Sequence, residues 1–281
     1  DGLDCGLFDI ILTYDYHLQW ECNNFKTFPY PKEIRKKIKK SLSGNTKDIK
    51  CIDKQLGKLF VLYTKEFLSN RHIDMIASHG QTVSHQDGIS TIQIGDPHFL
   101  SDEYGVPVVH NFRQADIDIG GNGAPLMPFL DWLLFKDSAV DTVTLNLGGM
   151  ANISYIPSSG IRQKVIGFDT GPGMSLIDET CQLCLGIHMD SKGIKTSEGM
   201  INEELLNKLM LHNFINKEYP KSTGRHEFGI EIVQQAIKQY PKMNIQDLLR
   251  TFCMFTAKSI AINLEKHLDI DPLHSRLIIS G

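Results

Sequence analysis

Val165-Ile166-Gly167-Phe168-Asp169-Thr170-Gly171-Pro172-Gly173 is an apolar run that ends in an acid set among glycines and a proline. A short hydrophobic strand here would deliver Asp169 to its carboxyl end, and glycines let a backbone approach a ligand closely. The run Ser175-Leu176-Ile177-Asp178-Glu179 then starts a helix. An acid so placed can act as a catalytic base. The same residues also describe a plain strand-to-helix turn in which Asp169 bonds its own backbone.

A second glycine turn lies upstream, in Thr142-Val143-Thr144-Leu145-Asn146-Leu147-Gly148-Gly149-Met150-Ala151-Asn152-Ile153-Ser154-Tyr155-Ile156. It reads as strand, turn, strand. Paired glycines between β-rich runs form a hairpin whose exposed amides suit a phosphate, although an ordinary hairpin fits as well. Asn146, Gly148 and Gly149, with Gly171 and Gly173, are therefore the candidate nucleotide-binding residues. Neither a Gly-x-x-x-x-Gly-Lys-Ser/Thr loop nor a Gly-x-Gly-x-x-Gly fingerprint occurs in the chain.

The 281 residues suit two lobes of roughly 130–150 residues, each with its own core. With 29 basic against 33 acidic residues, the net charge of −4 gives no reason to expect a nucleic-acid partner. No apolar run approaches the ~18 residues of a membrane span, and no charged region with an apolar signal core opens the chain, so a cytosolic protein is expected. Six cysteines follow no disulfide framework. Cys181-Gln182-Leu183-Cys184 has metal-ligand spacing, but no second pair or nearby His doublet completes a site, and the segment continues the helix from Ser175. No metal ligands are assigned.

Leu7–Tyr14 and Tyr16–Glu21 read as strands of a first meander. The lysine-rich stretch Pro31–Leu42 places Ile34, Ile38 and Leu42 on one helical face, and its charges suit a solvated face better than a binding patch. Ile52–Leu68 is a second amphipathic helix. Met75–Ser78 is a strand leading His79-Gly80-Gln81 into a loop, and Pro107–Val109 is another short strand. Polar, glycine-rich Asn111–Pro128 reads as a functional loop or connector. The lobe boundary is placed near Pro128, dividing the chain into 1–128 and 129–281. Helices are expected at Phe129–Phe135, Glu203–Leu211, Ile230–Gln239 and Ile245–His267, with a last strand at Leu277–Ile279.

Further segments join the two glycine turns: Asp1-Gly2-Leu3-Asp4, Ser78-His79-Gly80-Gln81-Thr82-Val83, Gln93-Ile94-Gly95-Asp96, Phe112-Arg113 with Asp116-Ile117, Gly120-Gly121-Asn122-Gly123-Ala124-Pro125-Leu126, and Lys221-Ser222-Thr223-Gly224-Arg225. In this order they resemble the anhydro-N-acetylmuramic acid kinases of bacterial cell-wall recycling. The related levoglucosan kinases share the glycine turns, but Gln93-Ile94-Gly95-Asp96 looks more like the muramic acid family. The resemblance implies an α/β fold of two ribonuclease-H-like lobes, as in actin and the Hsp70 chaperones, with the active site in the interlobe cleft.

It further implies ATP and Mg2+, a small anhydrosugar substrate, and a homodimer as a candidate assembly. Asp169 matches the family's catalytic aspartate. His79, Gln81, Arg113, Asp116 and Pro125 come from segments lining the sugar side. Arg225 would pair with phosphate or the lactyl carboxylate, or form a structural ion pair. For His79 the alternative is a bond to loop backbone. Asn111, Asn122, Met174 and His226 depart from the family's aspartate, glutamine, asparagine and glutamate, which bears on substrate choice and efficiency. The resemblance also suggests a fragment, because Asp1-Gly2 and Ser280-Gly281 fall inside two nucleotide-binding loops; such a fragment would bind ATP poorly. A degenerate sugar-binding remnant and an actin-like or chaperone-like ATPase are the rival classes.

Overall fold

The computed structural model describes residues 2–42 and 49–281, so Asp1 of the opening motif lies outside the described residues. Two compact units divide the chain between Leu126 and Met127.

In the first unit, β1 (Gly2–Leu12) and β2 (Leu18–Pro29) pair antiparallel as a long hairpin. Both strands stop short of the expected Tyr14 and Tyr16 at the turn but run past Leu7 and Glu21 at the far end, where Cys5 and Phe28 bury against Phe67 and Leu68 and hold the outer residues in the ladder. The helices α1 (Lys32–Leu42) and α2 (Ile49–Leu68) supply Ile38, Ile52, Leu56 and Phe60 to a core that includes Val83, Ile94 and Leu100. The α1 lysines are exposed, and Lys36 pairs with Glu33, as a solvated face requires.

Next come β3 (Ile76–Ser78), the antiparallel hairpin of β4 (Gln81–Gln86) and β5 (Ser90–Ile94), α3 (His98–Tyr104), β6 (Val108–His110) and α4 (Phe112–Asp118); β3 and β6 pair in parallel. Two expectations are corrected here. Gln81 begins a strand rather than ending a loop. The stretch Asn111–Pro128 holds a helix, which Asn111 enters at φ 62, a conformation asparagine tolerates better than most side chains. Among the described residues the strands of this unit form three separate two-stranded ladders.

The second unit opens with α5 (Met127–Phe135), then β7 (Asp141–Leu147), β8 (Met150–Ile156) and β9 (Ile166–Pro172). Helix α6 (Ser175–Thr180) widens into a π-helical turn at Cys181–Leu185, rather than continuing as α-helix. Then follow α7 (Ile194–Ser197), α8 (Glu203–Met210), α9 (Ile230–Gln239), α10 (Ile245–His267) and β10 (Ser275–Ser280). The sheet order is β10-β7-β8-β9, with β10 parallel to β7 and the other pairs antiparallel.

One sheet face carries Val143, Leu145, Ala151, Ile153 and Phe168, packed on Ile260 and Leu264 of α10. On the other face buried Asp131 of α5 accepts the hydroxyls of Thr144 (2.8 Å) and Ser154 (2.5 Å). The helices form their own core, including Leu176, Leu206, Phe228, Val233, Leu249, Phe252 and Phe255. Burial pushes the Cys181 thiol up to about 11, and among the described residues no three His, Cys, Asp or Glu converge as a metal site. Nor is any described helix long and apolar enough to cross a membrane.

Candidate functional site

Asp169 does not end its strand. It is the fourth of the seven residues of β9. What singles it out is a bulge: Asn152 stands opposite Asp169 and Ala151 opposite Gly171, so Thr170 has no counterpart. The cause is tertiary. Helix α10 draws on the Thr170 carbonyl with Ser259 Oγ at 2.6 Å and Asn263 Nδ2 at 3.1 Å, and a bulge re-aims the side chains beside it.

Nor does Asp169 simply bond its own turn. Its Oδ2 accepts the N–H of Thr223 at 2.8 Å, and its own N–H donates to the Lys221 carbonyl at 3.1 Å. The Thr223 hydroxyl in turn donates to Glu227. Cross-strand register then sets Asn146, Asn152 and Asp169 in a row on one sheet face, one step beyond the row that Asp131 covers.

The two glycine turns meet. N–H groups of Gly173, Met174 and Ser175 donate to the carbonyls of Gly149 (3.0 Å), Gly148 (2.8 Å) and Gly149 (3.1 Å). A Cβ on Gly173 would lie 2.3 Å from the Gly148 oxygen, which only glycine avoids; Gly171, at φ 142, would put one 2.4 Å from Ser259 Oγ. Gly171 and Gly173 thus serve close backbone packing. The carbonyls of the Gly148-Gly149 turn are taken up, while among the described residues its amides meet no protein acceptor. Arg225 lies alongside, with its guanidinium 3.7 Å from where a Gly149 Cβ would stand, and bonds Glu179 at 2.6 Å. Two amides beside a guanidinium make a concavity for an anion.

In the first unit Arg113 bonds one expected sugar-side residue, His79, and shares Gly123 with another, Asp116. Its Nε donates to His79 Nε2 at 2.9 Å and its Nη1 to the Gly123 carbonyl at 2.8 Å. His79 Nδ1 meets the Gly80 carbonyl at 3.0 Å, so the proton resides on Nδ1 and the ring is neutral. Burial holds His79 below its ordinary value, and the Arg113 charge adds to this against the Gly80 bond. Asp116 Oδ2 accepts the Gly123 N–H at 2.8 Å, so this carboxylate shapes the glycine loop. Gln81 turns its amide to the Thr82 carbonyl at 3.3 Å, and Pro125 follows a cis peptide bond.

Sequence reasoning did not single out Asn152, Glu179, Lys221, Thr223 or Glu227. Strand register would have found Asn152. Glu179 and Thr223 act across 46 and 54 residues, Thr223 through a backbone N–H, while Lys221 and Glu227 bond neighbours four to seven residues away in a segment that no periodicity marks.

The family model described as anhydro-N-acetylmuramic acid kinase matches residues 1–281. A Bacillus cereus (strain ZK / E33L) protein named anhydro-N-acetylmuramic acid kinase is 37% identical over 280 residues, covering 95% of this chain and 73% of the relative. One of the same name from Bacillus thuringiensis (strain Al Hakam) is 37% identical over 280 residues, covering 95% and 72%. Another, from Bacillus cereus (strain Q1), is 38% identical over 251 residues, covering 84% and 66%. The match over the whole chain and the identity to these relatives show that the chain belongs to the anhydro-N-acetylmuramic acid kinase family.

Proposed function

We propose that this protein is an ATP-dependent kinase of anhydro-N-acetylmuramic acid that opens the anhydro bridge and phosphorylates the 6-oxygen, serving peptidoglycan recycling in the cytoplasm. Water adds to the anomeric carbon, the bond from that carbon to the bridging oxygen breaks, and that oxygen receives the phosphoryl group. When bound, ATP supplies that group and becomes ADP. Asp169 takes the proton of the attacking water. The observation that carries this reading is Asp169 itself, fixed at a bulge by bonds at its N–H and its carboxylate, in the unit that also holds the Gly148-Gly149 turn.

The free amides of Gly148 and Gly149, with Arg225, fit phosphate oxygens, and Asn146 lies in the adjoining row. Such groups act by position and charge, which is most of what phosphoryl transfer asks of a protein. Magnesium is implied by the chemistry, since phosphoryl transfer needs the phosphate charge neutralised. His79, Arg113 and Asp116 hold the sugar side through a preformed loop, with Gln81 and Pro125 beside it in sequence. The order β10-β7-β8-β9 supports the ribonuclease-H-like reading of the second unit.

Asp169→Asn tests the reading. The amide keeps the shape but cannot act as a base, so turnover should fall by at least about 10²-fold with the fold intact. Near-normal ADP release from this variant would end the assignment. Substrate identity is tested by kcat/KM for anhydro-N-acetylmuramic acid against levoglucosan, which lacks the acetamido and lactyl groups. A site built to bond those groups should favour the first. Equal values would move the protein to the levoglucosan side.

A further inference from the structure

Lys221 is only 3% exposed, and the proposed reaction gives it no task. Its Nζ donates to the carbonyls of Phe214 and Ile215, both at 3.2 Å, and lies 4.9 Å from the centre of the Phe214 ring and 5.8 Å from that of Phe168. Its own carbonyl accepts the Asp169 N–H, and two residues later the Thr223 N–H grips the Asp169 carboxylate. One anchored side chain therefore holds a short strap whose backbone clasps Asp169 twice. The anchor is tied to the bulge as well: Asn263 Nδ2 reaches both the Ile215 carbonyl at 3.3 Å and the Thr170 carbonyl at 3.1 Å.

We propose that Lys221 is a positioning residue for Asp169: its side chain, bonded to the Phe214 and Ile215 carbonyls, anchors the strap whose backbone orients the carboxylate. This rests on Asp169 being the base.

The charged and titratable neighbours are Asp169 from β9, Lys217 and Glu218 from the connection before Lys221, and Lys266 and His267 from α10. Burial pushes Lys221 down to about 8; Lys266 and Lys217 push the same way, and Glu218 and Asp169 oppose. His267 is held below its ordinary value by burial and by Lys221, so it is neutral where Lys221 titrates. Glu218, bonded by Lys266 at 2.6 Å, is held low and stays ionised. Burial thus favours the neutral amine, which still donates to both carbonyls, so the anchor persists when Lys221 loses its proton.

The experiment is kcat and KM for the wild type, Lys221→Met and Lys221→Arg, with folding checked by circular dichroism. Lys221→Met removes the donor and should lose at least tenfold in kcat with little change in KM. Lys221→Arg keeps a donor at the end of a long side chain and should recover most of that loss. A folded Lys221→Met with near-wild-type kcat overturns the proposal.

Should both variants fail to fold, amide hydrogen exchange in the wild type reads the strap directly. The Thr223 amide, clasped by Asp169, should exchange as slowly as the amides of residues 259–263 in α10, and exchange at the rate of an open loop overturns the proposal. If Asp169→Asn is itself near-normal, the reading of Asp169 fails first. An inactive Asp169→Asn beside a fully active Lys221→Met sinks the Lys221 proposal alone.

Discussion

Arg225 is bonded to the Glu179 carboxylate at 2.6 Å and lies beside the open amides of the glycine turn, so that both present donors to an anion. The ion pair leaves the arginine more than half exposed, and exposed pairs contribute about 0–1 kcal/mol. Its conservation of fold is therefore small, while a phosphate met by a guanidinium and two amides gains charge-assisted bonds. Arg225→Met should raise the KM for ATP about tenfold, with kcat nearly kept and the thermal midpoint within a degree or two. Steady-state kinetics against ATP concentration decide it. An unchanged KM would assign the guanidinium to Glu179 alone. Of the departures from the family pattern, Asn111 has a structural account, since it enters α4 in the left-handed region.

At the scale of elements, the bulge in β9 and the glycine turn depend on tight backbone contact. Gly173→Ala would drive a methyl group to 2.3 Å from the Gly148 oxygen, so the β7–β8 tip must move away from the start of α6. A loss of about 1–3 kcal/mol is expected, read as a lower urea midpoint. Asp131→Ala would strand two buried hydroxyls, Thr144 and Ser154, at a similar cost of about 1–3 kcal/mol. An unmoved midpoint in either variant would show that the site relaxes freely. Periodicity alone placed α9 and α10 at their observed bounds, Ile230–Gln239 and Ile245–His267, because long amphipathic faces carry that signal. The bulge left no such mark, since Ser259 and Asn263 create it from another element. The β4–β5 hairpin went unread, although Asp87-Gly88 is a strong turn pair flanked by alternating residues.

Across the whole molecule, the two units should answer alkali differently. Burial raises Cys5 and Cys181 from 9.0 to about 11, and Tyr30 and Tyr155 from 10.0 to about 12. Each such acid holds its proton longer folded than unfolded, so its stabilisation is full below the ordinary value and lost as pH climbs to the raised one. Lys221, lowered from 10.5 to about 8, has the opposite sign: the unfolded chain binds its proton more tightly between those values, so stability rises there. Cys5 and Tyr30 belong to the first unit; Cys181, Tyr155 and Lys221 belong to the second. From about pH 8 to 9 the lysine adds stability to the second unit with no thiol to oppose it, and above pH 9 Cys181 and Cys184 draw on that gain, while the first unit has no such offset. Limited proteolysis in reducing buffer, with cuts mapped by mass spectrometry, should therefore open residues up to Leu126 at lower pH than the remainder. Earlier cleavage in the second unit would contradict the assignment.

The parallel pairing of β10 with β7 has a consequence for how the protein is made. Arg276 donates to Thr142 across 134 residues of sequence. At about 5–20 residues per second, a ribosome needs roughly 7–27 seconds to travel from one to the other. Through that interval the nascent Thr142-Val143-Thr144-Leu145 strand has one edge without its final neighbour, and closing so long a loop is entropically slow. Such an edge attracts other strands. During synthesis the second unit is thus a natural client for chaperones that shield β-edges, and crowded expression should trap it in aggregates more readily than the first.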